Sequence, residues 1–433
     1  MTRTLRIAAL QLRAHDRDAL PDRLNGILDL ASRAAASCDL LVLPEATFPA
    51  YVIGGDEFDD AQVQPGIDAL RAIASRNECT IVTGAVQKRN GALYNCAVAI
   101  DPDGSVAGTA EKTFLWHFDR KWFAAGAELA PVHTAAGSLG LLICADGRMP
   151  GVARALVDRG ADVLVMPTAW VTSGRDPTAL ENVQADLLAR VRAFENNVAL
   201  VAANKCGTER GMVAYCGKSQ IIDRDGTVAA TGDARSEGAI FARLAIEKPR
   251  PYRSASPAIA TTAERPPLRA IRVAIAIEPL PRDIDARLDL LDAEIALAPD
   301  SPYGAQRLNE LLSIVEIAAE AVLDPGALIA ARLSGMRVAI IDAPLAGPWL
   351  ETIARARALE LRIYVIVFDR QNHRAYAIDP EGAIVAGTFD DYSIASFSLD
   401  GRRTAETSLA PGTDVVDGLE RIDLLARAQA RVR

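Results

Sequence analysis

Apolar residues in this chain fall into short runs of about four to seven that stop abruptly at polar, proline or glycine positions. Leu5 to Gln11, Asp39 to Leu43, Ser105 to Thr109, Leu139 to Ile143 and Asp162 to Pro167 read as strands. A helix is expected to start near Pro150. Further along, Val338 to Ile341 and Ile363 to Phe368 read as strands, with amphipathic helices over Ala305 to Ala321 and Pro348 to Leu361. This alternation predicts an α/β fold, whose ligands gather at the C-terminal ends of the strands.

Three of those strand ends carry reactive side chains. The run Leu139–Ile143 stops at Cys144, and a polar turn with Asp146, Gly147 and Arg148 leads to the helix at Pro150. A thiol on such an elbow is expected near backbone N–H groups and a helix N-terminus, which favour a thiolate and an adjacent oxyanion. Leu40–Leu43 ends in Pro44 and Glu45, and Lys112 follows the strand that closes near Thr109. Singly, each residue has an ordinary structural reading: a small core thiol, a solvated strand end, a surface charge. Together they supply a nucleophile, a base and a cation in three equivalent places.

These motifs resemble the nitrilase, or carbon–nitrogen hydrolase, superfamily, which carries Glu, Lys and Cys in this order. The resemblance extends over residues 1 to about 245. It includes Gln11, the Asp162–Pro167 strand, Arg192-Ala-Phe-Glu195-Asn196, Ala202-Ala-Asn204 and Gly217-Lys-Ser219. It implies a four-layer αββα sandwich and roles for Glu45 as base, Lys112 as oxyanion stabiliser and Cys144 as nucleophile. Two positions depart from the family pattern. Gly151 stands where a Glu is frequent, and Asp119 stands where many relatives have a second Glu that helps position the substrate. Being one methylene shorter, Asp119 is expected to reach Lys112 less directly, with a surface pairing to Arg120 or Lys121 as the competing arrangement.

The residues themselves make chemical sense. An amide or carbamoyl carbon is a poor electrophile, so a thiol needs a base at hydrogen-bond distance and a positive charge facing the new oxyanion. The backbone N–H of Ala145 would assist Lys112 there. No step requires a metal, nucleotide or redox cofactor. Four histidines and six cysteines without a C-x-x-C pair argue against a zinc site.

Composition narrows the partners. Half of the 433 residues are apolar and the net charge is −9, against nucleic acid or anionic membrane as a main partner. No apolar run approaches the ~18 residues that span a bilayer, and Met1 leads directly into a strand without a signal-peptide pattern. The expected location is the cytoplasm, and Cys206 and Cys216, which flank a polar loop, are expected to stay reduced.

The chain is long enough for more than one domain. A catalytic domain is expected over residues 1–246, a Pro/Ser/Thr/Ala-rich linker over 247–268, and a smaller domain over 269–433. The last resembles a worn copy of the first. Ile271–Ile277 resembles Leu5–Gln11, Pro299-Asp300 resembles Pro44-Glu45, Arg357-Ala-Leu-Glu360 repeats Arg192–Glu195, and Asp379–Gly382 repeats Asp223–Gly226. Ala319 stands where Cys144 would fall, and neither lysine nor cysteine occurs after Lys248, so this copy is expected to be inert. Because relatives associate through the helices after the catalytic cysteine, the resemblance implies an internal pseudo-dimer, with further homo-oligomers possible.

Around Lys112 lie Phe114, Trp116, His117, Phe118, Trp122 and Phe123, a dense aromatic cluster in a chain that is 5% aromatic. Trp116, Tyr51 and Trp170 are candidate substrate contacts, with a core role as the alternative for each, and His117 is a candidate orienting residue. The expected activity is hydrolysis of a linear amide or N-carbamoyl C–N bond in a small molecule. Nitrile hydrolysis uses the same three residues, but relatives that perform it usually have Trp-Glu after the cysteine, where this chain has Ala145-Asp146. N-acyl transfer would normally bring membrane spans or a synthetase domain, and neither is apparent.

Overall fold

The computed structural model describes residues 3–54, 58–172, 176, 178–253, 269–278, 288, 292–299, 302–343, 349–388, 390 and 393–430. Two compact units are formed, one from residues 1–251 with 421–433 and the other from residues 252–420. Most of the expected linker, residues 254–268, and Asp300 lie outside the described residues.

The first unit opens with β1 (Arg3–Arg13), α1 (Leu20–Ala35), β2 (Leu40–Val42), α2 (Gln64–Asn77), β3 (Thr80–Arg89), β4 (Ala92–Ile100) and β5 (Val106–Glu111). After α3 (Asp119–Trp122) come β6 (Val132–Thr134), β7 (Gly137–Leu141), α4 (Pro150–Asp158), β8 (Val163–Pro167), α5 (Ala189–Asn196) and β9 (Ala199–Ala203). The unit continues with β10 (Lys205–Glu209), β11 (Val213–Cys216), β12 (Gln220–Ile222), β13 (Val228–Thr231) and β14 (Gly238–Ile246). One sheet runs β11-β10-β1-β2-β3-β4-β5, with β14 antiparallel on β1, and a second runs β13-β12-β9-β8-β7-β6.

The central strands are continuous buried runs because both of their faces are covered. β1, β2 and β3 face β8 and β9 across the middle of the unit, while α1 and α2 pack on the outside of the first sheet and α4 and α5 on the outside of the second. Ile27, Ala31, Leu70, Ile73 and Ala74 lie on the buried faces of α1 and α2, within one apolar core with Ala8, Leu10, Leu41 and Ile81. Pro150 starts α4 in a position where no intrahelical N–H is needed. Asn197, at φ +48°, ends α5 with a left-handed cap that lets β9 begin.

The second unit contains β15 (Ala270–Ile275), β16 (Ile295–Leu297), β17 (Ile314–Ala318), β18 (Val338–Ala343), β19 (Tyr364–Asp369), β20 (Arg374–Ile378), β21 (Ile384–Gly387) and β22 (Ala395–Asp400). β15 pairs parallel with β16 and antiparallel with β22. β17, β18 and β19 are parallel neighbours, and β20 and β21 follow antiparallel. The helix expected over Ala305–Ala321 is corrected: a helix covers Pro302–Leu311, β17 follows, and a short helix covers Ala319–Val322. The segment Ile-Val-Glu-Ile-Ala is too short for periodicity to decide, and pairing of Ile314 with Val338 makes it a strand. Leu350–Leu361 forms the other expected helix.

Among the described residues, no helix is long and apolar enough to cross a membrane. All six cysteines are free and buried, including Cys206 and Cys216, which face each other across β10 and β11.

Candidate active site

Beyond β2 the chain passes Leu43 and Pro44 to Glu45, whose N–H donates to Thr168 O at 3.3 Å. This turn lies directly on β3. A Cβ at Gly84 would come within 2.3 Å of Ala46 N and 2.5 Å of Pro44 O, so glycine is required for the approach. Ala46 takes φ +42° as the chain turns away. Lys205 Nζ donates to Ala46 O at 3.2 Å, and Glu209 accepts from Val52 N at 2.6 Å and from the Tyr215 hydroxyl at 2.7 Å. Those contacts hold the loop that carries Glu45 and Tyr51.

Lys112 directly follows β5, which ends two residues beyond the expected strand end. Its N–H donates to Asn95 O at 2.8 Å and its carbonyl accepts from Gly126 N at 2.8 Å, closing the neck of a loop from Thr113 to Ala125. The Lys112 ammonium is fully buried, 2.6 Å from Glu45 Oε1 and 2.6 Å from Asp119 Oδ2. Asp119 therefore pairs directly with Lys112 and is itself fully buried, which corrects the expectation of a less direct contact. The loop supplies the missing methylene: α3 begins at Asp119, and Trp116 N donates to Asp119 Oδ2 at 2.8 Å. Burial alone would push the Lys112 ammonium down, but Asp119 and Glu45 outweigh it and hold the lysine well above its usual range.

Cys144 occupies the turn after β7 at φ +45°, a conformation that costs energy for any residue with a side chain. Asp146 secures the turn. Its Oδ2 accepts from Ile143 N at 2.9 Å, and its Oδ1 accepts from Thr113 N at 3.1 Å, Thr113 Oγ1 at 2.7 Å and Phe114 N at 2.7 Å. One carboxylate thus joins the thiol's elbow to the lysine's loop. The expected stabilisation of a thiolate is corrected: burial first, then the Glu45 charge, pushes the Cys144 thiol up to about 12. Lys112, the Thr168 hydroxyl and the Ala169 amide oppose that shift without overcoming it. An upward shift of this kind favours the neutral thiol over the thiolate.

The two oxygens of Glu45 differ in their surroundings. Oε1 accepts from Lys112 Nζ and, at 2.7 Å, from Asn95 Nδ2, whereas the fully buried Oε2 has no hydrogen-bond partner. An ammonium has three N–H bonds, and two of those on Lys112 are directed at carboxylates.

The remaining expected positions are distributed around this centre. Tyr51 is buried, with Lys112 Nζ 5.7 Å from its ring centroid, and meets Phe118 and Tyr215 edge-on at 6.3 and 6.4 Å. Burial first, then the Asp119 and Glu45 charges, raises the Tyr51 hydroxyl well above its usual range. Trp116 is partly exposed beneath the Arg148 guanidinium, 4.6 Å away, and His117, at φ +43°, packs edge-on against Phe118. Ala145 is buried in the turn after Cys144. Trp170 is fully buried, its N–H donating to Asn204 Oδ1 at 2.7 Å and its indole Nε1 without a partner.

Asn95 and Asp146 are the residues whose work sequence reasoning missed. Asn95 has one available signal, an amide inside an otherwise apolar strand. Asp146 belongs to the quoted motif, but its four hydrogen bonds are visible only after folding.

Comparisons with known proteins identify the family. A family model described as carbon-nitrogen hydrolase matches residues 6–254. The chain belongs to the carbon-nitrogen hydrolase family. Among curated relatives of this hydrolase, a deaminated glutathione amidase of Escherichia coli O157:H7 is 32% identical over 252 residues, 55% of this chain and 90% of the relative. An (R)-stereoselective amidase of a Pseudomonas species is 30% identical over 227 residues, 52% of this chain and 79% of the relative. A crystal structure of an amidase from Nesterenkonia sp. superposes with a TM-score of 0.50 and 27% identity, covering 56% of this chain and 90% of that one. The carbon-nitrogen hydrolase unit has the α/β nitrilase-type fold, and the chain is an enzyme of this type.

Proposed function

We propose that the enzyme hydrolyses the C–N bond of a small linear amide or N-carbamoyl compound through a thioester on Cys144. The observation that carries this reading is the buried Lys112 ammonium held 2.6 Å from each of two carboxylates, one of which keeps an unpartnered oxygen. Glu45 Oε2 takes the Cys144 proton as sulfur attacks the carbonyl carbon. The oxygen gains the electron pair of the C=O bond and is stabilised by Lys112 and the Ala145 N–H. Collapse breaks the C–N bond, and Glu45 returns the proton to the departing ammonia or amine. Water, deprotonated by Glu45, then attacks the thioester, releasing the acid and restoring the thiol. Asp119 keeps the lysine charged and aimed. The aromatic edges of Tyr51, Phe118 and Tyr215 suit an apolar acyl group.

The second unit is proposed as a degenerate copy without chemistry. Its strand pairings repeat those of the first: β15 has a parallel and an antiparallel neighbour like β1, and β17 to β21 pair like β7, β8, β9, β12 and β13. Leu139 pairs with Val163 as Ile314 pairs with Val338, which puts Ala319 in register with Cys144. The buried Arg357–Glu360 pair at 2.7 Å corresponds to Arg192–Glu195 at 2.8 Å.

Ammonia release from a panel of amides, N-carbamoyl compounds and nitriles tests the proposal. Wild-type enzyme is expected to turn over amides or carbamoyl compounds, and Cys144→Ser to lose turnover while keeping its circular dichroism spectrum. Release from nitriles alone, or substantial activity in Cys144→Ser, overturns it.

A further inference from the structure

We infer that Arg421, far outside the region matched by the family, is a positioning residue for the active-site lysine. This inference rests on the proposed role of Lys112. The helix Val415–Ala430 carries Arg421, which groups with the first unit. Its guanidinium donates to Thr113 O and, at 2.7 Å, to Gly126 O. Those two carbonyls belong to the opposite sides of the neck from which the Lys112–Asp119 loop projects. A guanidinium is a rigid planar fork, so gripping both sides fixes their separation.

Other bonds at the neck lead toward the proposed catalytic groups. Gly126 N donates to Lys112 O at 2.8 Å, and Thr113, held by Arg421 through its carbonyl, is held by Asp146 through its N–H and hydroxyl. Asp146 is in turn bonded to Ile143 N, next to Cys144. Packing leaves no slack, because a Cβ on Gly126 would lie 2.7 Å from Glu111 Cβ. Arg421 is also anchored from its own side. One turn beyond it, Ala426 O accepts from Arg159 Nη2 at 3.0 Å, and Ile422 is buried. Without the guanidinium, two carbonyls lose their donors and the neck can widen, which moves Lys112 relative to Cys144.

Steady-state kinetics of full-length Arg421→Ala, Arg421→Lys and wild type, with and without millimolar guanidinium chloride, test the inference. Arg421→Ala is expected to lose ~10²-fold in kcat with KM little changed, the effect of misplacing a reacting group by about 1 Å. Added guanidinium should recover roughly tenfold of that loss, and sodium chloride at equal ionic strength should recover none. Arg421→Lys keeps the charge but grips a single carbonyl, and should fall between. Iodoacetamide should alkylate Cys144 several-fold more slowly in Arg421→Ala, since Lys112 is the charge that favours the thiolate. Alkylation needs no substrate, so it decides the inference even if wild type hydrolyses no amide, an outcome that would remove the proposed activity instead. A kcat in Arg421→Ala within threefold of wild type, or a loss that guanidinium does not relieve and that leaves alkylation unchanged, overturns it. Should Arg421→Ala fail to fold, Arg421→Lys with a wild-type kcat overturns it, and a reduced kcat with slowed alkylation supports it.

Discussion

Glu45→Gln separates the two ways in which this carboxylate acts on the thiol. An amide oxygen in place of Glu45 Oε1 could still accept from Lys112 Nζ and Asn95 Nδ2, which approach the carboxylate to 2.6 and 2.7 Å, and the second counter-charge on the lysine, Asp119, would remain. Shape and neighbours are thus preserved, while the proton acceptor at Oε2 is lost. Loss of a general base costs ~10²–10⁴ in rate, about 3–5 kcal/mol in the barrier. The Glu45 charge also raises the Cys144 thiol, so its removal makes the thiolate more accessible in the resting enzyme. Each ~1.4 kcal/mol of repulsion removed increases the thiolate fraction tenfold. The variant should therefore hydrolyse substrate at least ~10²-fold more slowly and yet react roughly tenfold faster with iodoacetamide at pH 8. Ammonia release measures the first and mass spectrometry of the Cys144 peptide the second. A parallel fall in both would mean that the substitution disturbed the site, and unchanged turnover would exclude Glu45 as the base.

The thiol itself makes a pH prediction. With Cys144 pushed up to about 12, the thiolate fraction at pH 8 is about 10⁻⁴. Because the shift is upward, alkylation of the free enzyme should rise about tenfold per pH unit between pH 7 and 10, and a plateau below pH 9 would refute a neutral resting thiol. Cys144 should also be labelled ahead of the other five cysteines, being 7% exposed where they are 0–2% exposed. Asp119→Asn removes one of two carboxylates from a fully buried ammonium and should destabilise the first unit by about 3 kcal/mol, the low end for breaking a buried pair, because Glu45 remains. Calorimetry should show an earlier melting transition and kinetics a fall in kcat; wild-type values for both would remove Asp119 from the site.

The candidate site residues are legible because they sit where local rules are strong. Glu45 and Cys144 each follow an apolar run, and a run that stops at a polar residue marks a strand end without knowledge of its neighbours, while Lys112 lies just past the expected strand Ser105–Thr109. The buried strand β8 and the proline-started α4 are legible for the same reason. Local rules fail at Ile314–Ala318, five residues on which helix and strand periodicities cannot be told apart, so pairing with β18 decides. They also fail for Asp119, whose reach depends on the course of the loop that carries it.

By itself, the sequence determines the α/β class, the family, and the presence of a thiol, a carboxylate and an amine at equivalent strand ends. Tertiary structure alone decides their states. Asn95 meets Glu45 across 50 residues and Asp146 meets Thr113 across 33, distances at which no periodicity or cap gives a signal. The Cys144 thiol is pushed up, although its elbow suggests a thiolate, because folding buries it and brings Glu45 near. Charge and proton affinity depend on burial and on neighbours brought together by sheet pairing. Those two quantities exist only once the chain has closed around the site.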